Sequence, residues 1–276
     1  MKKNLWEPRR KNEIQYQKAL EKITKALEKK LGGLTDLRII LRTIKKFTDS
    51  KEFHEYAYKA SLKMVTSIFK DAGKTWRQAA RENSKSKPIY EALKKEMNSP
   101  IGLAVKEQVE RNAKLIKDIP SKISKEITNH VTEETLKGRR SSDIMEDLQK
   151  LYPHMCESKA KLIARTECSK TSTALTKARC DDIGINWYEW NTAHDSRTRS
   201  AHKHMSGVLV NWNDTPAPEE LIGVKSTLGH YNAGNCPNCR CFCSPIVRVD
   251  FIDFPHKVYY QGKIQTMTKA QFKSIM

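Results

Sequence analysis

Four of the chain's seven cysteines lie within eight residues, at positions 236, 239, 241 and 243. The spacing Cys236-x-x-Cys239 lets two thiolates reach one tetrahedral metal ion from a turn. In an extended segment, Cys239, Cys241 and Cys243 would present their side chains on one face. Positions two apart on a strand have α-carbons about 6.6 Å apart, near the upper limit for a disulfide. The spacing therefore disfavours disulfides and favours a metal ion.

A zinc ion needs further soft or imidazole ligands, and His202, His204 and His230 all precede Cys239 within about 40 residues. His202 is the best placed of the three, because it falls within a short helix expected after Asp195. We therefore predict a structural Zn²⁺ site with the ligands His202, Cys236, Cys239 and Cys241. The alternative ligands are Cys243, His204 and His230.

Two other interpretations of the cysteines remain open. The thiols can form a buried cluster of small hydrophobic side chains without a metal. They can also do redox or nucleophilic chemistry, but a redox Cys-x-x-Cys pair requires a helix N-terminus that lowers a thiol pKa. Pro237, Arg240 and the β-like run that follows indicate no helix at this position.

A second group of polar residues falls on a predicted helix and on a predicted strand–helix turn. The helix carries Arg165 and Glu167, and the turn carries Asp195, Arg197 and Thr198. We expect a buried polar network that ties helix to strand; a catalytic acid–base role is the alternative. The sequence has no Gly-rich phosphate loop, H-E-x-x-H, G-x-S-x-G or spaced acidic pair of nuclease type, so no catalytic residue is assigned and no enzyme is predicted.

The composition is that of a polar, basic chain with a formal net charge of +19. Residues 1–150 carry 35 Lys and Arg against 21 Asp and Glu, so most of the excess lies there. One interpretation of this charge is a surface that contacts nucleic acid or an acidic protein. The alternative is a solvated, lysine-rich helical surface without a charged partner. No apolar run is long enough for a membrane span, and the N-terminus lacks the apolar segment of a secretory signal. We expect folding in a cytoplasm, where thiols stay reduced.

Amphipathic periodicity predicts five or six helices in residues 1–150. The first ends at Gly32-Gly33, the second begins with Thr35 or Asp36 as N-cap, and the third ends at Gly73. Further helices are expected around 75–97, 101–117 and 121–137. No strand signal appears in this half, so it is predicted to be a basic helical arm or bundle.

Residues 151–276 predict a small α+β domain with an irregular, cysteine-bearing centre. One helix is expected to close before Pro153 and the next to run from about Glu157 to Asp182. Strands are expected at 185–193, 208–212 and 240–251, with a short helix between Asp195 or Ser196 and Gly207. A hairpin over Gln261-Gly262 and a closing helix complete the domain. The predicted fold class is thus α+β, a helical N-terminal arm followed by a small α+β domain with a zinc-stapled centre.

In order along the chain, these motifs resemble the phage head-morphogenesis family typified by the F protein of phage Mu. The resemblance covers roughly residues 140–250 and rests on the following residues in sequence: Ala164-Arg165-Thr166-Glu167, Gly184, Trp190, Asp195-Ser196-Arg197-Thr198, His202, Gly207 and Cys236-Pro237-Asn238-Cys239-Arg240-Cys241. Two positions depart from the family pattern: Cys236 stands where many members have His, and His202 where some have Cys. Both exchanges preserve a zinc ligand, whereas Cys243 is an additional thiol.

The resemblance implies a non-enzymatic minor head protein of a tailed phage or prophage. Such a protein would fold in the host cytoplasm and reside in the head interior of the virion. Its partners would be the portal protein and other head proteins, with viral DNA bound by non-specific electrostatics and no membrane contact. The family would give it a part in head morphogenesis and in DNA packaging or delivery. The alternatives are a nuclease or toxin-like enzyme using Arg165, Glu167 and Asp195, and a zinc-bearing DNA-binding protein.

Overall fold

The structure is a computed structural model of the chain and describes residues 4–81 and 100–276. Long helices make up its first half, and a five-stranded sheet with two short helices follows. The predicted α+β class is therefore confirmed.

Four helices occupy the first half of the described chain. They are α1 (Arg10–Leu31), α2 (Leu37–Thr48), α3 (Lys51–Arg81) and α4 (Pro100–Leu136). The N-cap of α2 is Asp36, whose carboxylate accepts hydrogen bonds from the backbone N–H groups of the second and third residues of the helix. The first two helices therefore lie where the apolar periodicity predicts them.

The predicted stop at Gly73 and the separation of 101–117 from 121–137 are wrong. The helix α3 continues through Gly73 to Arg81, and α4 runs without a break across Pro120. A mid-helix glycine costs only about 1 kcal/mol, less than burying side chains such as Ile68 and Trp76 on either side of it contributes. The first seven residues of the helix expected at 75–97 belong to α3, and residues 82–99 lie outside the described residues.

One helix, α5 (Ser141–Asp182), replaces the two that were predicted on either side of Pro153. Its buried positions 148, 152, 160, 164 and 168 keep a four-residue spacing before and after the proline. An interior proline costs about 3 kcal/mol, which is less than the burial of several side chains along the helix contributes. This burial explains why the helix continues.

The sheet has the strand order β3-β1-β2-β4-β5. Its strands are β1 (Trp187–Asn191), β2 (Leu209–Asn211), β3 (Phe242–Pro245), β4 (His256–Tyr260) and β5 (Lys263–Met267). The pair β2–β4 is parallel and the other three pairs are antiparallel. The predicted hairpin over Gln261-Gly262 is confirmed as the β4–β5 connection.

Two short helices flank the strands. The helix α6 comprises only Ser200–His204, so the prediction that it begins at Asp195 or Ser196 is wrong. Asp195 instead closes a turn by accepting a hydrogen bond from the N–H of Arg197. The closing helix α7 (Lys269–Ile275) begins with a capping box between Thr268 and Gln271, as a Thr-x-x-Gln sequence predicts.

The strand alternation sends side chains to two different cores. Tyr188 and Trp190 of β1 pack with the buried cysteines, whereas Trp187 packs with Phe272 of α7 on the opposite face. The cysteine-bearing segment thus lies on one side of the sheet, in a core rich in aromatic side chains.

The described residues form two compact units. The sheet unit comprises the described residues within 1–10, 66–106 and 165–276, and the helical unit comprises Lys11–Val65 and Glu107–Ala164. The division of roles at residue 150 stays a prediction. None of the described helices combines the length and the apolar character that a bilayer span requires.

Candidate metal centre

Three of the four predicted zinc ligands converge in the sheet unit. The ligand atoms of His202, Cys239 and Cys241 all lie within 4.8 Å of one another, and the three side chains are buried. The Nδ1 atom of His202 is 3.6 Å from the Sγ of Cys239 and 3.3 Å from the Sγ of Cys241. One imidazole nitrogen and two sulfurs form a donor set that suits zinc.

The fourth predicted ligand, Cys236, is buried beside this group but is not one of the three. Its Sγ accepts a hydrogen bond from Nη1 of Arg199, whose Nη2 donates to the carbonyl of Pro237 at 3.1 Å. The side-chain contact fixes the start of the segment that carries Cys239 and Cys241.

The three alternative ligands lie elsewhere. Cys243 is buried in β3, with its Sγ 3.6 Å from the carbonyl of Ala233. His204 is exposed at the end of α6, and the Nδ1 of exposed His230 lies 2.6 Å from the carbonyl of Thr215. Their positions leave His202 as the imidazole in contact with the cysteine pair.

The second nitrogen of His202 is held by a buried chain of hydrogen bonds. Its Nε2 lies 2.9 Å from the hydroxyl of Tyr231, and that hydroxyl lies 2.8 Å from both carboxylate oxygens of Glu219. Because the hydroxyl donates to the carboxylate, it accepts from the imidazole, so Nε2 carries a proton. Nδ1 then faces the sulfurs, which is the arrangement found when a histidine binds a metal and donates through its other nitrogen.

The sulfurs and the imidazole shift one another's protonation. Hydrogen bonding from Cys241 and from His202 lowers the pKa of Cys239 despite its burial, and hydrogen bonding to Cys239 together with burial raises the pKa of Cys241. Burial lowers the pKa of His202, but hydrogen bonds with Cys236 and Cys239 outweigh it and raise that pKa to about 9. The group thus favours one thiolate next to a positive charge. Thiolates are the form that binds metal.

Most of the predicted polar network lies beside the cysteine segment, but this part is partly exposed and not buried as expected. Asp195 forms an ion pair with Arg240, lies 3.6 Å from Nη2 of Arg197 and accepts a hydrogen bond from the hydroxyl of Thr198 at 3.2 Å. Hydrogen bonds with Arg240 and Thr198 hold the pKa of Asp195 below its usual value, against the opposing effect of desolvation.

The helix α5 holds the same segment from the other side. Arg165 donates through Nη1 to the side-chain oxygen of Asn238 at 2.9 Å, and the hydroxyl of Thr166 accepts from the backbone N–H of Asn238 at 2.9 Å. Glu167 is buried, with its carboxylate 3.9 Å from Nζ of Lys170. Four of the five predicted network residues therefore lie at the cysteine segment or its flanking turn.

Sequence reasoning gave no role in the site to five of its residues: Arg199, Glu219, Tyr231, Asn238 and Arg240. Two of them carried a signal, because Asn238 and Arg240 interleave with the cysteines. The other three come from a turn and a loop whose spacing gives no periodic pattern.

Comparison with known proteins identifies the stretch that contains this site. Residues 125–244 match the family described as Phage Mu protein F like protein. Because they are similar to that family, we refer to these residues as the Mu F-like domain. The match includes all of α5, the Asp195 turn, His202 and the four clustered cysteines, so the resemblance inferred from the motifs is confirmed for this stretch.

Two curated relatives match part of the chain. Over 96 residues the chain is 29% identical to Minor head protein GP7 of Bacillus phage SPP1. This alignment covers 34% of the chain and 30% of that protein. Over 136 residues the chain is 30% identical to an uncharacterized protein of Haemophilus influenzae, covering 49% of this chain and 28% of that protein. The chain thus spans less than a third of the length of either relative. No solved structure matches the chain.

Proposed function

We propose that the chain is a minor head protein of a tailed phage or prophage and takes part in head morphogenesis. The observation that carries this proposal is the match over residues 125–244, which includes the complete cysteine and histidine group. The alignment with a minor head protein supports it. The protein would fold in the host cytoplasm, enter the head interior and act there as a structural component, with no catalytic role.

We propose that the domain binds one structural Zn²⁺ through His202, Cys239 and Cys241, with Cys236 as the fourth ligand. Zinc would supply a tetrahedral cross-link between α6 and the cysteine segment and would contribute directly to the free energy of folding. The buried donor set and the proton held on Nε2 of His202 support the assignment.

Elemental analysis of protein expressed with zinc tests this assignment. We expect one zinc per chain in the wild type and a loss of zinc in Cys239→Ala. Cys180→Ala removes a buried thiol of the same core outside the group and serves as the matched control. A wild-type protein that contains no zinc and still unfolds in a cooperative thermal transition would contradict the assignment. The thiols would then be interpreted as apolar core residues.

The polar network is better explained by a structural role than by a nuclease or toxin-like activity. Arg165 and Asp195 are engaged with Asn238 and Arg240 of the cysteine segment. Asp195→Ala is therefore expected to weaken zinc binding and folding together. A folded, zinc-loaded Asp195→Ala variant that had lost a measurable hydrolytic activity would favour the enzyme instead.

The helical arm is proposed to contact the portal protein or another head protein. A largely apolar recess of about 730 Å³ in the helical unit is lined by Ile23, Phe47 and Tyr56. Three lysines and one acidic residue also line it: Lys22, Lys30, Lys46 and Glu52. Lysines around an apolar floor suit a partner surface that combines acidic and apolar side chains.

Charge reversal within α1 tests whether the arm docks the protein. We expect Lys22→Glu with Lys30→Glu to reduce the amount of this chain in purified heads. The matched control reverses Lys25 and Lys29, two exposed lysines of the same helix that do not line the recess. Equal incorporation of both double variants at the wild-type level would move the docking role to the Mu F-like domain.

A further inference from the structure

Trp190 of β1 is a fully buried side chain beside the metal centre. Its ring packs on the imidazole of His202, with the ring centroids 5.7 Å apart and an angle of 65° between the ring planes. It also packs on Tyr231, with 6.1 Å between the centroids. Trp190 therefore contacts a proposed ligand and the residue that holds the second nitrogen of that ligand. An indole nitrogen is a donor only, so Trp190 cannot be a ligand itself.

The indole N–H of Trp190 is buried and has no hydrogen-bond partner among residues 4–81 and 100–276. A buried donor without an acceptor is costly, and native proteins keep few of them. Hydrogen bonding to Cys239 and burial raise the pKa of the Cys241 thiol, and the indole of Trp190 acts in the opposite direction. The unpaired donor therefore lies near the Cys241 sulfur. A thiol is a weak acceptor, whereas hydrogen bonds to an ionised acceptor are much stronger.

The sulfurs of the two neighbouring cysteines already accept hydrogen bonds from N–H groups. Cys236 accepts from Nη1 of Arg199, and Cys239 accepts from the backbone N–H of Cys241 at 3.3 Å. Donors of this kind orient the ligands of a metal and adjust the charge on them. The sulfur of Cys241 would gain an equivalent donor if it accepted from the indole of Trp190.

We propose that Trp190 is a positioning residue of the metal centre, whose indole N–H donates to the sulfur of Cys241 when that thiolate binds the metal. Its ring at the same time restricts the imidazole of His202 by packing against it. One side chain thus orients two ligands, one from α6 and one from the cysteine segment. The inference rests on the proposed zinc site and assigns to it a residue that binds no metal itself.

Trp212 provides a matched control for Trp190. It belongs to the same core, and its buried indole N–H also has no hydrogen-bond partner among the described residues. Burial raises the pKa of Cys180, and the indole of Trp212 opposes this effect, as Trp190 does at Cys241. Cys180 lies outside the group of possible metal ligands. The two tryptophans therefore differ in whether the sulfur beside them is a proposed ligand.

The first test compares the zinc affinity of the full chain with that of Trp190→Phe and Trp212→Phe by competition with a chelator. Loss of a partner that orients a metal ligand typically weakens metal binding about 10–100-fold. We expect Trp190→Phe to weaken it at least tenfold and Trp212→Phe to change it by less than about twofold. Both variants lose one indole from the same core, so a general loosening of that core would weaken zinc binding equally in both. Equal losses, or no loss in Trp190→Phe, would overturn the proposal.

The second test detects the hydrogen bond in the wild-type chain, so it remains decisive if Trp190→Phe does not fold. The isotope-labelled protein is loaded with NMR-active cadmium, a soft ion that takes the same sulfur and imidazole ligands as zinc. We expect a scalar coupling between the metal and the indole proton of Trp190, assigned from its cross-peaks with the ring of His202. Such a coupling requires a hydrogen bond to a metal-bound sulfur.

Two results of this experiment would overturn the proposal, and they differ in what else they overturn. If cadmium couples to the Cβ protons of Cys239 and Cys241 but not to the indole proton, Trp190 does not donate to the ligand and the metal site stands. If cadmium couples to neither cysteine, the proposed metal site fails and the role of Trp190 fails with it.

Discussion

Replacing Tyr231 with Phe removes one hydroxyl from the buried chain that fixes His202. Tyr231 and Glu219 are each 8% exposed, and the hydroxyl connects the imidazole at 2.9 Å with the carboxylate at 2.8 Å. A buried polar group that loses its partner costs about 1–3 kcal/mol, and a charged one costs more. With two such groups affected, the free energy of unfolding should fall by about 2–5 kcal/mol.

Zinc affinity should fall as well, because the imidazole is no longer held with Nδ1 towards the sulfurs. Loss of a partner that orients a metal ligand typically weakens metal binding about 10–100-fold. Urea unfolding measures the first effect, and competition with a zinc chelator measures the second.

Tyr188→Phe is the matched control, since Tyr188 is also buried and its hydroxyl donates to the amide oxygen of Asn232 at 3.0 Å. The loss of one hydrogen bond to a neutral partner should cost about 1 kcal/mol and leave zinc affinity unchanged. If Tyr231→Phe were no more destabilising than Tyr188→Phe and bound zinc equally well, the assignment of His202 as an oriented ligand would be refuted.

Three further predictions concern other parts of the chain. Gly234→Ala should lower the free energy of unfolding by about 1–3 kcal/mol more than Gly229→Ala, as measured by thermal or urea unfolding. Both glycines have a positive φ, so the backbone strain is similar. A Cβ at position 234 would lie 2.6 Å from the hydroxyl oxygen of Thr173, whereas a Cβ at position 229 would have nothing within 4 Å. Hydrogen bonds with Lys137 and Arg139 lower the pKa of Glu134 to about 2, so its stabilisation is present above the unfolded value near 4.5 and is lost as pH falls through about 2. The stability difference between wild type and Glu134→Gln should therefore shrink from pH 5 to pH 2, and a difference that grew on acidification would contradict the ion pairs. Any DNA affinity that the basic residues confer should fall about a hundredfold between 50 and 200 mM salt, as expected for about four neutralised phosphates, with little dependence on sequence in anisotropy titrations.

Local signals in the sequence were sufficient where a short stretch decides its own conformation. Asp36 caps α2, Thr268 and Gln271 cap α7, and Gln261-Gly262 forms the hairpin turn, each through neighbours within three residues. The cysteine spacing predicted a ligand pair of Cys236 and Cys239, whereas the group in the structure combines Cys239 with Cys241 and His202.

The same local signals failed where burial over a long helix outweighs them. Gly73, Pro120 and Pro153 are all helix breakers by propensity, yet each lies inside a continuous helix. Propensity gives the cost of each residue, but the compensating burial depends on tertiary packing, which a single sequence does not show.

The partners of His202 could not be derived from spacing. Tyr231 is 29 residues away and Glu219 lies in a loop with a single turn of 3₁₀ helix, so neither belongs to a periodic pattern. Arg199 is similar, because only the folded turn brings it to Cys236.

Mass spectrometry of purified heads measures most directly whether the chain is a minor head protein. Heads are isolated from a phage or prophage that encodes it, and peptides from residues 125–244 and from the helical arm are quantified against the major capsid protein. We expect the chain in heads at low copy number, with both regions present. A chain that is abundant in the infected cell but missing from purified heads would contradict the proposed function.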